Sequence, residues 1–384
     1  MIERGLPKVC MVTPSYPPER CGIGDYAALL CEALAGQGVE VIVLTSSHLG
    51  TSSRGANPRV RSLMKGRSWF DAMRLLKSMR RGEVPIYHFQ LGSARYRRRL
   101  FFPFLFIPIA RVLGPRVKIV VTFHELPCSS LTKHPLKAIV RFVRVYASVL
   151  GADALVLVDE TYRPKLGHIS RRVESRLCRI IPIASNIPRS ELALGDLKRL
   201  RVGFGIPYEV LLLSFFGFVN PAKGFESVLE VLGILVGRGV QVQLLVLAEL
   251  SHRDPYQQAL LTRIESEGLG KYIRILGYTD AATVANCLAM SDGCLLPFVE
   301  GATPKSGTLQ AAMSQGILTV TTSRHGQGYV EELNVFYAAP GDVEAMVAAV
   351  QRFGRCRSRS AASALPAWPV VAAEHLKLYE QLVS

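Results

Sequence analysis

The chain lacks any C-x-x-C pair although it contains eight cysteines, and its histidine spacing does not suggest zinc. A zinc site is therefore not expected. Several cysteines lie in apolar runs, as free core thiols do, so a reduced, cytoplasmic compartment is expected. Long hydrophobic runs are also missing. The longest, Leu100 to Ala110, is interrupted by Pro103 and Pro108, whereas a membrane-spanning helix needs about 20 apolar residues. The opening residues carry no apolar signal-peptide core, which agrees with a cytoplasmic expectation. Neither glycine, at 32, nor proline, at 22, is in excess, so collagen-like and low-complexity chains are excluded. With 49% hydrophobic residues the chain is not disordered, and its 384 residues exceed a usual single core. Two domains are expected.

Acidic residues are nearly absent from one stretch. Residues 54 to 118 hold 16 Lys and Arg against only Asp71 and Glu83, a net 16 − 2 = +14 of the whole chain's +16. The remainder carries 16 − 14 = +2. Such concentration predicts a docking surface for phosphates or an anionic membrane. Arg95, Arg97, Arg98 and Arg99 immediately precede the apolar, aromatic Leu100-Phe101-Phe102-Pro103-Phe104-Leu105-Phe106. Cations beside such a stretch suit a membrane surface. The other reading is a buried helix with a solvated basic end. Nucleic acid is not expected as a partner: helix-turn-helix, zinc and ribonucleoprotein motifs are missing, and aromatics do not alternate with the basic residues.

What is present is a repeat. A short apolar strand (Lys8 to Thr13), a loop with Gly22 and Gly24, a helical pattern (Tyr26 to Leu34), Gly36-Gln37-Gly38 and a second strand (Val39 to Leu44) come first. The pattern recurs 201 positions later as Val210 to Phe216, Lys223-Gly224, Ser227 to Leu235, Gly237-Arg238-Gly239 and Val240 to Leu247. Each Gly-x-Gly predicts a helix C-cap, and each β-rich run after it a buried parallel strand. Each unit opens a doubly wound α/β domain. Further strands are predicted at Val84 to Phe89, Val117 to Phe123, Ala154 to Val158, Arg179 to Ile183, Ile273 to Leu276, Gly293 to Pro297 and Leu318 to Thr322.

Ligands of such sheets bind beyond the carboxyl ends of strands. The first strand leads to Gly22 and Gly24 before a helix, where a backbone can approach a phosphate. The full G-x-G-x-x-G is missing, and Ser46 and Ser47 follow the second strand where a dinucleotide site needs a carboxylate, so a dinucleotide is not expected. The strand ending at Phe123 leads to His124, placed either to meet a substrate hydroxyl or as a satisfied core histidine. After Phe216 come Asn220 and Lys223, an ammonium before a helix N-terminus, suited to a diphosphate. After Pro297 come Glu300, Lys305, Gly307 and Thr308 at another helix start; Glu300 suits a sugar hydroxyl and the N–H groups near Gly307 and Thr308 suit phosphate oxygens. Together these residues ask for an anionic ligand with hydroxyls, such as a nucleotide-sugar.

Five segments carry a resemblance: Pro-Pro-Glu-Arg-Cys-Gly-Ile-Gly-Asp-Tyr at 17 to 26, Thr-Phe-His-Glu-Leu-Pro at 122 to 127, Ile-Pro-Ile-Ala-Ser-Asn-Ile-Pro at 181 to 188, Phe-Gly-Phe-Val-Asn-Pro-Ala-Lys-Gly at 216 to 224 and Leu-Pro-Phe-Val-Glu-Gly-Ala at 296 to 302. In this order they resemble the family-4 glycosyltransferases. The resemblance implies an α/β chain of the GT-B fold: two facing Rossmann-like doubly wound domains, 1–190 and 191–367, with a C-terminal crossover helix, 368–384, packing back on the first. It implies transfer of a sugar from a nucleotide-sugar co-substrate to a polysaccharide, glycolipid or lipid-linked acceptor, with retained configuration, no metal and no cofactor. Catalytic roles would fall to His124, at the donor sugar, Glu300, at its hydroxyls, and Lys223, at the diphosphate. Gly22, Gly24, Asn220, Lys305, Gly307 and Thr308 would bind the donor.

Two positions depart from the family. Phe218 stands where an arginine is usual, and Ala311 where the second Glu of the Glu-x7-Glu motif holds the ribose; Lys305 is placed to supply the missing cation. These departures keep open the alternative of a catalytically inactive GT-B relative acting as a binding or scaffold protein, and the shared fold keeps open a nucleotide-sugar epimerase.

Overall fold

A computed structural model describes residues 6–46, 57–62, 69–92, 102–113, 117–126, 143, 145–166, 177–303, 305–358 and 365–384. The chain divides into two units, Met1–Ile183 with Pro366–Ser384, and Ala184–Leu365.

The first unit is built on a seven-stranded sheet. Its strands are β1 (Val9–Thr13), β2 (Val41–Thr45), β3 (Arg59–Ser62), β4 (Ile86–Leu91), β5 (Lys118–Phe123), β6 (Ala154–Leu157) and β7 (Leu177–Ile180). They lie in the order β3-β2-β1-β4-β5-β6-β7, and every pairing is parallel. The central strands are covered on both faces, which is why they read as continuous apolar runs. β1 and β2 are buried throughout. The chain winds one way from β1 to β3 and the other way from β4 to β7, so β1 and β4 flank the switch point where such folds bind ligands.

The second unit repeats the plan with β8 (Leu211–Phe216), β9 (Val242–Leu247), β10 (Ile273–Ile275), β11 (Gly293–Leu296), β12 (Leu318–Thr322), β13 (Gly328–Val330) and β14 (Val335–Ala338). Their order is β10-β9-β8-β11-β12-β14-β13. β8 and β11 flank this switch point, and among these seven strands only β13 runs antiparallel, against β14.

The Gly-x-Gly signals are helix stops. In helix Gly22–Gly36, Gly38 takes φ +87°, Gly38 N–H donates to Ala35 O at 2.9 Å and Val39 N–H to Leu34 O at 3.1 Å. In helix Phe225–Gly237 the same bonds run from Gly239 to Val236 (2.9 Å) and from Val240 to Leu235 (3.0 Å), with Gly239 at φ +76°. Both are Schellman motifs, and the second glycine of each pair is the one that needs the left-handed backbone.

The last helix, Trp368–Val383, belongs to the first unit and packs along Gly22–Gly36. Gln37 Nε2 donates to Pro369 O at 2.7 Å, and Trp368 meets Tyr26 edge-on at 5.2 Å.

Three strands escaped the sequence reading. β3 is a charged edge strand, Arg-Val-Arg-Ser, largely exposed. Its place depends on Asn57, which accepts from Val41 N–H at 3.0 Å and donates to Val39 O at 2.8 Å. Charge on an edge strand discourages edge-to-edge association, and it hides the strand from a hydrophobicity pattern. β13 and β14 are short and partly exposed.

The stretch read either as a membrane contact or as a buried helix contains helix Phe102–Val112, and Phe106, Ile107 and Ala110 lie in the first unit's core. For these residues the buried reading holds. Arg95, Arg97, Arg98 and Arg99 lie outside the described residues. No helix among the described residues is long and apolar enough to cross a membrane.

Candidate functional site

In the second unit, the loops after β8 and β11 interlock at the switch point. Gly224 sits at φ +64°, and a Cβ there would stand 2.1 Å from Pro297 O. Val299 N–H donates to Ala222 O at 3.2 Å. These contacts bring Lys223 over Phe298, with Nζ 4.5 Å from the ring centroid. Burial pushes the Lys223 ammonium down from 10.5 to about 8, because its charge has lost water without gaining an anion. Asn220 has its side chain engaged within the loop: its Oδ1 accepts from Ala222 N–H at 3.1 Å and its Nδ2 donates to Phe218 O at 3.3 Å. In this structure it shapes the turn that presents Lys223.

The helix Gly307–Ser314 begins beside the same strand end. A Cβ on Gly217, at φ +125°, would lie 2.7 Å from Thr308 Cγ2. Ser306 occupies the N-cap position, yet its hydroxyl accepts from Thr303 N–H at 3.1 Å and does not cap the helix. The first N–H groups of a helix have no partner within it, and with the positive end of the helix dipole they favour an anion. Thr308 Oγ1 is buried without a partner. Lys305 is half-buried in the loop leading into this helix.

Glu300 is exposed and pairs with Arg324 at 2.7 Å, whose Nε also donates to Glu300 O at 3.3 Å. An exposed pair of this kind contributes about 0–1 kcal/mol, so a sugar hydroxyl can displace it. Arg324 was not foreseen; it follows β12, 24 positions after Glu300, and carries no local signal. Phe218 is 61% exposed, and Ala311 is fully buried in its helix.

In the first unit, Gly24 packs against the loop after β1: a Cβ on it would lie 3.0 Å from Ser15 C and O. Gly22 opens the same helix, which has no side-chain cap. His124 follows β5 and is almost buried. Its Nε2 meets Gln90 Oε1 at 2.8 Å, its ring stands edge-on to Tyr26 at 4.6 Å, and its carbonyl accepts from Tyr162 Oη at 3.1 Å. Gln90 Nε2 contacts Met11 Sδ at 2.9 Å and lies 3.4 Å from His88 Nε2. His88 in turn bonds Thr122 Oγ1 at 2.7 Å and Tyr379 Oη at 2.6 Å. The sulfur accepts and cannot donate, so the amide of Gln90 faces it and the carbonyl faces His124. His124 is thereby held as the Nε2–H donor.

Burial drives His88 well below its ordinary value and takes His375 to about 4, so both are neutral at pH 7. This polar chain ties the C-terminal helix to His124. The sequence reading missed Gln90 and His88. Their signal is visible in hindsight: two polar residues, two apart, in the otherwise apolar Ile-Tyr-His-Phe-Gln-Leu. Among the described residues, no three His, Cys, Asp or Glu side chains gather to hold a metal ion.

Residues 211–354 match the family model described as Glycosyl transferases group 1. No curated protein matches the chain. Among solved structures, it is similar to a sucrose-phosphate synthase from Thermosynechococcus elongatus, with TM-score 0.75 and 16% identity over 98% of this chain and 99% of that one. It is similar to HepE of Anabaena, solved with UDP and glucose, with TM-score 0.72 and 15% identity over 97% and 99%. A putative UDP-N-acetylglucosamine 2-epimerase from Listeria monocytogenes gives TM-score 0.60 and 13% identity over 98% and 96%. These likenesses show the fold, GT-B. The family match covers most of the unit that contains Lys223, Glu300 and Thr308.

Proposed function

We propose that this chain is a retaining, metal-independent glycosyltransferase that takes a sugar from a nucleotide-sugar and delivers it to a polysaccharide, glycolipid or lipid-linked acceptor. One observation carries the reading: the glycosyltransferase match over residues 211–354 falls on a sheet whose switch point holds a cation and an uncapped helix N-terminus.

Negative charge develops on the leaving diphosphate as the glycosidic bond breaks. Lys223 and the first N–H groups of helix Gly307–Ser314 are donors fixed in advance at that place, and preorganised donors stabilise such charge more than mobile water does. A diphosphate restores the partner that burial removed from Lys223. Glu300 exchanges Arg324 for sugar hydroxyls. His124 takes the role the family resemblance implies, a contact to the donor sugar, in the tautomer set by Gln90. Arg95, Arg97, Arg98 and Arg99 support a cytoplasmic enzyme resting on an anionic membrane face, where a lipid-linked acceptor resides.

A second reading, an inactive relative that binds a nucleotide-sugar, rests on Phe218 and Ala311 in place of the usual Arg and Glu. The first test is release of nucleoside diphosphate and acceptor-dependent label transfer from a panel of UDP-, ADP- and GDP-sugars, with and without chelator. Parent turnover that survives chelation and is lost in Lys223→Ala and in Glu300→Ala is expected. Equal traces in all three proteins favour the inactive relative, and donor altered without acceptor favours an epimerase.

A further inference from the structure

A second charged cluster lies at the other end of the second sheet, where β8 and β11 begin. Helix Leu194–Gly203, the residues leading into β8 and the turn after helix Val343–Phe353 enclose an open cavity of about 40 Å³. Its lining includes Lys198, Arg201, Tyr208, Asp292, Arg355 and Arg357. The fold accounts for one of the four cations. Arg201, 2% exposed, donates to Asp292 Oδ2 at 3.0 Å and to the carbonyls of Pro207, Tyr208 and Val210.

The other three have no close carboxylate partner. Arg355 comes no closer than 3.8 Å to Asp292 and donates to the carbonyls of Tyr208 (3.2 Å) and Glu209 (2.7 Å). Arg357 donates to Ser291 O at 3.0 Å. Lys198 Nζ lies 4.9 Å from the Tyr208 ring centroid, a ring it shares with Arg201 at 5.4 Å and Arg355 at 5.6 Å. The local sum is four cations less one carboxylate, 4 − 1 = +3. The neighbouring residues 352–366 contain no acidic side chain. One further feature points to an anion. Arg201 Nε is buried without a hydrogen-bond partner.

We propose that this cavity binds a small tetrahedral oxyanion: inorganic phosphate or the phosphoryl group of a monoester. Guanidinium forks match phosphate oxygens in pairs. The volume holds about three waters, enough for a phosphoryl group. The site is separate from the one at Lys223, since the six residues of β8 put roughly 17–20 Å between the two ends of the strand. It does not depend on sugar transfer.

The test is thermal unfolding of the full chain with inorganic phosphate, or with glycerol phosphate, titrated at constant ionic strength against chloride. Ligand that binds only the folded state raises the midpoint saturably. The exposed cations Lys198 and Arg355 are replaced as Lys198→Gln and Arg355→Gln, with Lys223→Met as the control for the other site. The expected result is a saturable rise in the parent and in Lys223→Met, and at least a tenfold weaker apparent affinity in each of the other two variants. The stronger of the two ligands then identifies the source as free phosphate or monoester. A response no greater than chloride's overturns the proposal. So does a rise unchanged in Lys198→Gln and Arg355→Gln, or one lost only in Lys223→Met.

Discussion

Replacing Lys223 by methionine removes a charge that the ligand-free fold holds at a cost. The depression of the ammonium from 10.5 to about 8 corresponds to at most about 3.4 kcal/mol. The sign follows from proton linkage. The folded pKa lies below the unfolded one, so above pH 8 the folded state releases a proton that the unfolded chain keeps up to about 10.5. Stability from this group is lowest below pH 8 and rises between pH 8 and 10.5. Lys223→Met, which keeps the stem over Phe298, is therefore expected to raise the unfolding free energy at pH 7 by about 1–3 kcal/mol, with the gain shrinking towards pH 10. The same variant loses a charge-assisted contact to diphosphate worth about 1.5–3 kcal/mol, a tenfold or larger loss of affinity. Denaturant unfolding at pH 7 and pH 10, with calorimetric titration of UDP, ADP and GDP, measures both. In the parent, binding at pH 9 takes up a proton, seen as a dependence of heat on buffer ionisation enthalpy. A variant less stable than the parent at pH 7, or one that binds the diphosphate undiminished, refutes the reasoning.

Three further outcomes are expected. Gly224→Ala forces a Cβ to 2.1 Å from Pro297 O at φ +64°; a loss of more than about 2 kcal/mol in the second unit's unfolding follows from backbone strain and overpacking together. Tyr379→Phe removes the hydroxyl 2.6 Å from His88 Nδ1 and leaves a buried polar group unmatched, costing about 1–3 kcal/mol. Its reach to His124 shows as a changed imidazole tautomer in nitrogen NMR of histidine-labelled protein, and an unchanged tautomer means that the relay does not orient His124. Asp25, whose carboxyl burial raises from 3.8 to about 6, destabilises the folded state as pH rises through that window, since the unfolded chain ionises first. The shift is roughly 3 kcal/mol at most, or about 1–2 kcal/mol for a half-buried group after solvent screening. Asp25→Asn is thus expected to be the more stable protein at pH 8 and equal to the parent near pH 3.5 in pH-dependent thermal unfolding.

Local signals in the sequence determined the plan of this protein. The two strand–helix–Gly-x-Gly–strand repeats announced two doubly wound units, because a left-handed helix stop and a buried parallel strand each need particular residues at neighbouring positions. The strand-end rule then drew attention to Lys223, His124, Glu300 and Thr308, since in this topology chemistry gathers where strands end. The tertiary structure alone decided which of these side chains are held, and by what. Asn220 proved to shape a turn, Glu300 was found paired with Arg324, and His124 was found bonded to Gln90, which reaches His88 and, 291 positions from His88, Tyr379. Arg201 met Asp292 across 91 positions, and the further cations beside them came from two separate segments. A cap or a turn is written in adjacent residues because it closes over a few bonds. A hydrogen-bond relay or a pocket of charge joins residues that only the packing of whole strands and helices brings within reach.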